Sequence, residues 1–415
     1  VSYAQYRAQR ERPRQGLPQI QFVRAAAGSE LYQRPVQAMF ADQAGKPLDA
    51  TGMETGVTRL YGRGTFATVD YHLVSDPALG RGVEISARRN NWGPNYLRLG
   101  LSLQDDFAGN TSFSAAARLL YTELGRMGAE WVWDLQVGAA PKLATEFYLP
   151  LNGRTRYFVA PHLQFSAYNV PQLVNTRQTG EFRVRSFEYG LDAGRELGNQ
   201  GELRAGLLRS EGRTRVRIGD FSLPDSHFGV NAAFLRFGYD RLDSANFPRH
   251  GQSVHFEWRV ERDGLNNPGS DLATVDWRGA WSHGQNTVVG WVSGGGTIGG
   301  NQQNVRSFFP VGGFLNLSGL RAQSLAGPQY AIARAIYLRK VGSGGEGVLN
   351  VPAYAGLSFE VGNVWASRSA ISLSSTRRDA ALFFGADTYI GPVYLAAGYD
   401  DSGATAFYLF LGRSF

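Results

Sequence analysis

The sequence predicts an all-β membrane protein: a 16-stranded antiparallel transmembrane β-barrel preceded by one small α+β domain. Three observations predict it. From Asn95 onward, segments of about ten residues alternate apolar with polar side chains, with Gly, Asn, Asp and Pro between them. Sixteen such segments follow one another, and a closed antiparallel barrel needs an even number. The connections between them alternate between short and long. A soluble sandwich also alternates, but its strands run nearer five or six residues.

Composition agrees and excludes other classes. The chain has 415 residues, with 52 Gly, 13% aromatic residues and only 19% charged residues. High aromatic content with a net charge of just +7 excludes disorder. The absence of Cys excludes disulfide scaffolds, Cys-ligated zinc, iron–sulfur clusters and cysteine nucleophiles. It also suits export through an oxidising compartment. The positive charge is spread along the chain and gives no ground for a nucleic-acid partner. The most apolar stretches, such as Ala380–Ala386 and Val393–Ala397, are far shorter than the ~18 residues a spanning helix needs. No secretory signal precedes Val1 and the chain does not start with Met, so a mature or excised segment is expected.

Residues 1–18 are polar, rich in Arg and Gln and broken by Pro13 and Pro18, as in a linker. Residues 19–90 read as the small α+β domain. Gln19–Arg24 alternates as a strand, and Tyr32–Phe40 carries helical spacing in Val36, Met39 and Phe40. Asp49 is suited to cap a second helix ending near Tyr61. Thr65–Val74 and Gly82–Arg88 then alternate as two strands.

The barrel occupies residues 95–415. Its segments start near Asn95, Asn110, Glu130, Lys142, Arg154, Gly180, Gly201, Phe228, Gly251, Asp271, Gln285, Gln329, Pro352, Ala380, Gly391 and Ala404. In one of them Val254, Phe256, Trp258 and Val260 share a face opposite His255, Glu257, Arg259 and Glu261. In another, Ala355, Leu357, Phe359 and Val361 oppose Ser358 and Glu360. Leu124–Gly128, Asn152–Gly153, Gly198–Gly201, Ser282–Gly284 and Ile390–Gly391 read as short turns at one end. Asn169–Thr179, Ser210–His227, Gly300–Pro328 and Ala366–Asp379 read as long loops at the other. Val341–Val351 is a long connection on the short side.

These motifs resemble the BamA/TpsB superfamily of outer-membrane transporters, which pair periplasmic POTRA domains with a 16-stranded barrel. Leu60–Tyr71 is similar to the end of a POTRA domain, so residues 19–90 look like one such domain. Asp243, Phe247, Pro248 and Gly251 look like the family's periplasmic turn. Phe359–Trp365 resembles its acidic-glycine motif on a late strand, and Phe415 is similar to its terminal aromatic assembly signal. The family's sixth outer loop, here near 300–328, folds back into the barrel through an Arg-Gly-aromatic element. Here the matching residues are Ser318, Gly319, Leu320 and Arg321, so Ser replaces the Arg and Leu the aromatic. The resemblance implies a loop-locking contact with Glu360, for which Arg321 and Arg334 are rival partners. It also implies a lateral seam near Tyr96 and Phe407.

The loop and Gly327–Tyr330 look most like the translocator half of patatin-like phospholipases, the type Vd autotransporters. That resemblance implies export of an N-terminally fused passenger across the outer membrane, with the POTRA domain in the periplasm. The implied partners are outer-membrane lipid, the unfolded passenger and the barrel-assembly machinery. A general transporter or insertase acting on a separate client is the alternative. The full precursor is then a patatin-like acyl hydrolase, while these 415 residues are expected to be no enzyme. They contain no Gly-x-Ser-x-Gly and no His-Glu-x-x-His, and no metal or cofactor is expected. Gly294–Gly299 matches Gly-x-Gly-x-x-Gly, but no helix is expected to follow it.

Overall fold

The computed structural model describes residues 17–29, 32–61, 66–89, 95–107, 109, 111–124, 128–151, 157–174, 177–219, 225–263, 269–301, 307–343, 351–388 and 390–412. Residues 1–16 of the expected linker, the Asn152–Gly153 turn and Phe415 lie outside them.

The N-terminal α+β unit begins with β1 (Gln19–Ile20) and β2 (Phe22–Ala25). A helix over Gln33–Phe40, β3 (Lys46–Pro47) and a second helix over Ala50–Tyr61 follow. β4 (Phe66–Asp76) and β5 (Gly80–Arg89) complete it. Val36 and Phe40 lie four apart on the first helix, and Met53, Val57 and Leu60 share one face of the second. These faces meet Val83, Ile85 and Ala87, which alternate along β5, to form one apolar core. β5 is central, parallel to β2 and antiparallel to β4. The β4–β5 turn is fastened by Asp76, which accepts from the N–H groups of Ala78 at 2.9 Å and Leu79 at 3.2 Å. The Ala78 amide, joined by the Arg24 guanidinium at 2.9 Å, holds the Asp76 carboxyl below its ordinary range.

Sixteen strands form the closed barrel. They are β6 (Asn95–Asp105), β7 (Thr111–Leu124), β8 (Ala129–Gly138), β9 (Lys142–Pro150), β10 (Tyr157–Val174), β11 (Arg177–Glu196), β12 (Gly201–Ile218) and β13 (Ser226–Asp240). Then come β14 (Gly251–Asp263), β15 (Ser270–His283) and β16 (Asn286–Gly300). β17 (Phe309–Val311) and β18 (Leu325–Gly327) pair in a separate hairpin. β19 (Gln329–Ser343), β20 (Pro352–Trp365), β21 (Arg377–Thr388), β22 (Gly391–Asp400) and β23 (Thr405–Gly412) complete the wall, and β23 closes on β6.

Alternation sorts the side chains. On β20, Leu357 and Phe359 are about half exposed on the outside, while Tyr354, Ser358 and Glu360 are buried inside. On β14, Phe256 and Trp258 face out. The lumen side carries paired charges: Arg118 with Asp134 at 2.6 Å, Arg204 with Glu146 at 2.8 Å and Arg236 with Glu257 at 2.9 Å.

Two expected loops are strands instead. β10, β11 and β12 run 18, 20 and 18 residues, well beyond the ~10 a crossing strand needs. Leu173 pairs with Gln178, and Arg213 with His227, inside the expected loops Asn169–Thr179 and Ser210–His227. These stretches are rich in polar residues, Gly and Pro without a clean apolar face, which reads as a loop in sequence. An antiparallel hairpin satisfies its backbone by cross-strand bonds and needs no apolar face where both sides meet water. The expected loop Gly300–Pro328 likewise holds the β17–β18 hairpin.

Candidate functional site: a loop anchored inside the barrel

The segment between β17 and β18 is a compact knot. Gly312 N–H donates to Asn316 O at 2.9 Å, and Gly313 N–H to Leu320 O at 3.1 Å. The Ser318 hydroxyl accepts from Leu315 N–H at 2.8 Å. Leu315 and Leu317 have φ of 55° and 68°, a left-handed conformation that costs a residue with a Cβ about 1–2 kcal/mol. Their burial offsets it. Leu317 is fully buried with Val311, Leu325 and Ile332, and Leu315 packs beside Phe383 and Tyr408.

The bend turns successive amides toward acids on the wall. Glu360 is fully buried on β20. Its Oε2 accepts from Leu317 N–H at 2.7 Å and Ser318 N–H at 2.9 Å. Its Oε1 accepts from the hydroxyls of Ser318 at 2.6 Å and Ser358 at 2.8 Å. Gly319 N–H donates to Asp379 Oδ2 at 2.6 Å. A Cβ on Gly319 would lie 2.4 Å from the Asp400 amide nitrogen, so the loop backbone touches the wall only as glycine. Leu320 offers its carbonyl to the Tyr408 hydroxyl. Phe314 packs edge-on to Phe383, at 5.2 Å between centroids.

Arg334 completes the anchor. Its guanidinium donates to Leu315 O at 2.5 Å, Ser293 Oγ at 2.9 Å and Asn316 Oδ1 at 3.2 Å. It also lies 4.2 Å over the Trp291 ring, which Arg278 approaches at 4.0 Å. Arg321 is exposed, and no contact between it and Glu360 occurs among the described residues. The expected Arg321–Glu360 pair is therefore corrected. Two backbone amides and two serine hydroxyls saturate the carboxylate, and Arg334 holds the loop by its carbonyl. Sequence reading missed Asp379, Tyr408 and Phe314. The only signal for Asp379 and Tyr408 was polar or aromatic placement at lumen-facing positions of late strands, and Phe314, in the loop, had none.

A second inward element lies at the turn end. In Arg241–His250, Asp243 accepts from Arg249 N–H at 2.8 Å and His250 N–H at 3.1 Å. Partial burial works to raise the Asp243 carboxyl, but these amides outweigh it and hold it below the ordinary range. Gly251 has φ of 102°, and a Cβ there would lie 2.0 Å from Arg241 O. After Pro248 the chain thus turns sharply into β14. Phe247 is buried, stacked on Tyr354 at 4.4 Å and packed on Tyr394 at 5.0 Å.

Among the described residues, β23 pairs with β6 from Leu409–Asp105 to Gly412–Ser102, which closes the wall. Tyr96 and Phe407 lie outside these pairs. No group of His, Cys, Asp and Glu suited to a metal occurs among the described residues. Gly294–Gly299 lies wholly within β16, not at the start of a helix that could receive a pyrophosphate.

A closed 16-stranded barrel with a connection folded into its lumen defines the fold class. The chain is similar to solved structures of that class. BamA from Haemophilus ducreyi lacking POTRA domains 1–3 superposes with a TM-score of 0.69 at 12% identity, covering 95% of this chain and 84% of that one. CdiB from Acinetobacter baumannii gives 0.62 at 10% identity, covering 96% and 74%. CdiB from Escherichia coli gives 0.61 at 13% identity, covering 95% and 76%. At these identities the likeness is one of fold. No model of a known protein family matches the sequence, and no curated protein does.

Proposed function

We propose that the chain is an outer-membrane translocator that passes unfolded polypeptide through or along its barrel. The observation that carries this is the loop held in the lumen at Glu360 and Asp379. It narrows the pore through contacts that are individually breakable, as a gated conduit requires and an open porin does not. The apolar exterior supports placement in a bilayer. Residues 19–90 act as one periplasmic POTRA domain. The superposition with BamA spans 95% of this chain, which supports that reading.

The Ser318-Gly319-Leu320 sequence favours the type Vd reading, in which the client is a patatin-like lipase fused ahead of Val1. Barrel-assembly machinery inserts the barrel, and these residues themselves perform no catalysis. Fusing a reporter domain to Val1 tests the proposal. Surface exposure of the reporter, lost when Gly319 carries a side chain, is the expected result. A reporter that stays periplasmic behind a correctly inserted barrel overturns fused-passenger export and favours a transporter or insertase with a separate client.

A further inference from the structure

The outer face of the barrel is indented. A groove of about 1190 Å³ crosses β8 to β14, lined by Trp131, Phe147, Leu163, Tyr189, Leu191 and Leu207. Leu191 and Leu207 are direct register partners, 55% and 69% exposed. A flat apolar wall accepts any acyl chain, whereas a concavity of this size gives several chains one address.

Toward the loop end the same outward face carries a run of arginines, with Glu211 between Arg209 and Arg213 and Glu181 bonded to Arg217 at 2.6 Å. Arg209 follows two residues after Leu207, opposite Asn231, and Asn231 is opposite Arg262; both arginines line the groove. Further along, Arg185 faces Arg213 and Arg183 faces Arg215 in direct register. Like charges opposite each other on one face of a sheet are destabilising. Arg215 meets Asp225 at 2.5 Å, and Arg183 meets Asn169 at 2.7 Å. No acid is hydrogen-bonded to Arg185 or Arg213 among the described residues. A depression of about 300 Å³ lies among these four arginines and Arg217.

Depth matches this change. Arg209 lies eight residues along β12 from Gly201 and Arg213 twelve, about 26 and 40 Å at ~3.3 Å per residue. With a strand tilt near 40° and Gly201, at the turn end, taken as the inner edge of a ~25 Å apolar band, they rise about 20 and 30 Å and bracket its outer edge. That is the level of lipid phosphates.

We infer that this face is a binding site for one phosphorylated lipid of the outer leaflet, with acyl chains in the groove and phosphate between Arg185 and Arg213. Guanidinium forks bind phosphate oxygens bidentately, and a bound dianion turns two repelling pairs into bridges. Arg209 and Arg262, paired with Glu211 at 2.6 Å and Asp271 at 2.7 Å, line the groove below the head without binding it. The inference rests on the membrane placement proposed above.

The test reconstitutes the full chain in phosphatidylethanolamine vesicles and measures retention of diphosphoryl lipid A, its dephosphorylated form and phosphatidylglycerol after delipidation. Heat-modifiable migration reports an inserted barrel in each sample. Diphosphoryl lipid A is expected to be retained about tenfold over its dephosphorylated form. Arg185→Gln with Arg213→Gln is expected to abolish that preference, and Leu207→Trp to weaken retention by filling the groove. Equal retention of all three lipids by the inserted wild type overturns the inference and leaves the translocator reading intact. So does protection of the site by inorganic phosphate alone, which makes the groove irrelevant. Failure of the wild type to insert overturns the membrane placement, and the lipid site with it.

Discussion

Arg334 and Glu360 stand directly opposite each other on β19 and β20, and both reach the same stretch of loop. Arg334 takes the carbonyl of Leu315, and Glu360 takes the amides of Leu317 and Ser318. One side of a left-handed bend is thus held by a cation on its acceptor and the other by an anion on its donors. An isolated ion pair between the two residues would leave the loop backbone unsatisfied inside the wall.

Glu360→Gln keeps the volume but replaces an acceptor oxygen with a donor facing donors. Hydrogen bonds to a charged group are worth about 1.5–3 kcal/mol each, so the loop should detach even if the barrel stays folded. Limited proteolysis between residues 312 and 323 is expected to become fast, and single-channel conductance to rise.

Arg321→Ala is expected to leave both readings at wild-type values, because Arg321 is exposed and holds nothing in the lumen. Arg334→Met removes the bonds to Leu315 and Asn316 and is expected to match the Glu360 variant. An Arg321 variant with the larger effect would refute the assignment of the anchor.

Gly319→Ala forces a methyl group to within 2.4 Å of the Asp400 amide. The loop must withdraw, and the Gly319–Asp379 bond breaks with it. Increased conductance with an unchanged far-ultraviolet β-signal is the expected outcome.

Phe247→Ala removes a buried ring stacked on Tyr354. Such truncations cost about 3–5 kcal/mol. Thermal unfolding of the reconstituted barrel is expected to fall by several degrees, while proteolysis of the 312–323 loop stays slow.

Asp243 titrates below its unfolded value because its carboxylate accepts two turn amides. Its contribution is therefore present above the unfolded pKa of about 3.9 and lost as pH falls through the lower folded value. Exchange of the Arg249 and His250 amides should accelerate over that acid range in the wild type. In Asp243→Asn it should be fast at neutral pH as well.

Much of the architecture is local and so legible along the chain. Alternation is set by the pleat, one residue at a time, so Leu357 and Phe359 announce the outside of β20 and Ser358 and Glu360 its inside. Gly and Asn punctuation placed strand starts at Asn95, Lys142, Gly201, Gly251, Gln329, Pro352 and Gly391, where the structure has them. The exposed β10–β13 extensions were not legible, because a polar hairpin and a polar loop share a composition. Glu360 was legible as an inward acid on a late strand, but its partners were not. Those partners are backbone amides, and no side-chain pattern encodes which way an amide points.

The sequence by itself determined the barrel, the sorting of its faces and the small α+β unit before it, because period-two and period-3.6 patterns follow from covalent geometry. Only the tertiary structure decided that the amide and hydroxyl of Ser318 donate to Glu360, that Arg334 takes a loop carbonyl, and that Arg185 stands opposite Arg213 beside an apolar groove. Each of these depends on strand register and loop insertion. Such contacts join residues from 19 to 42 positions apart, and they exist only once the wall has closed.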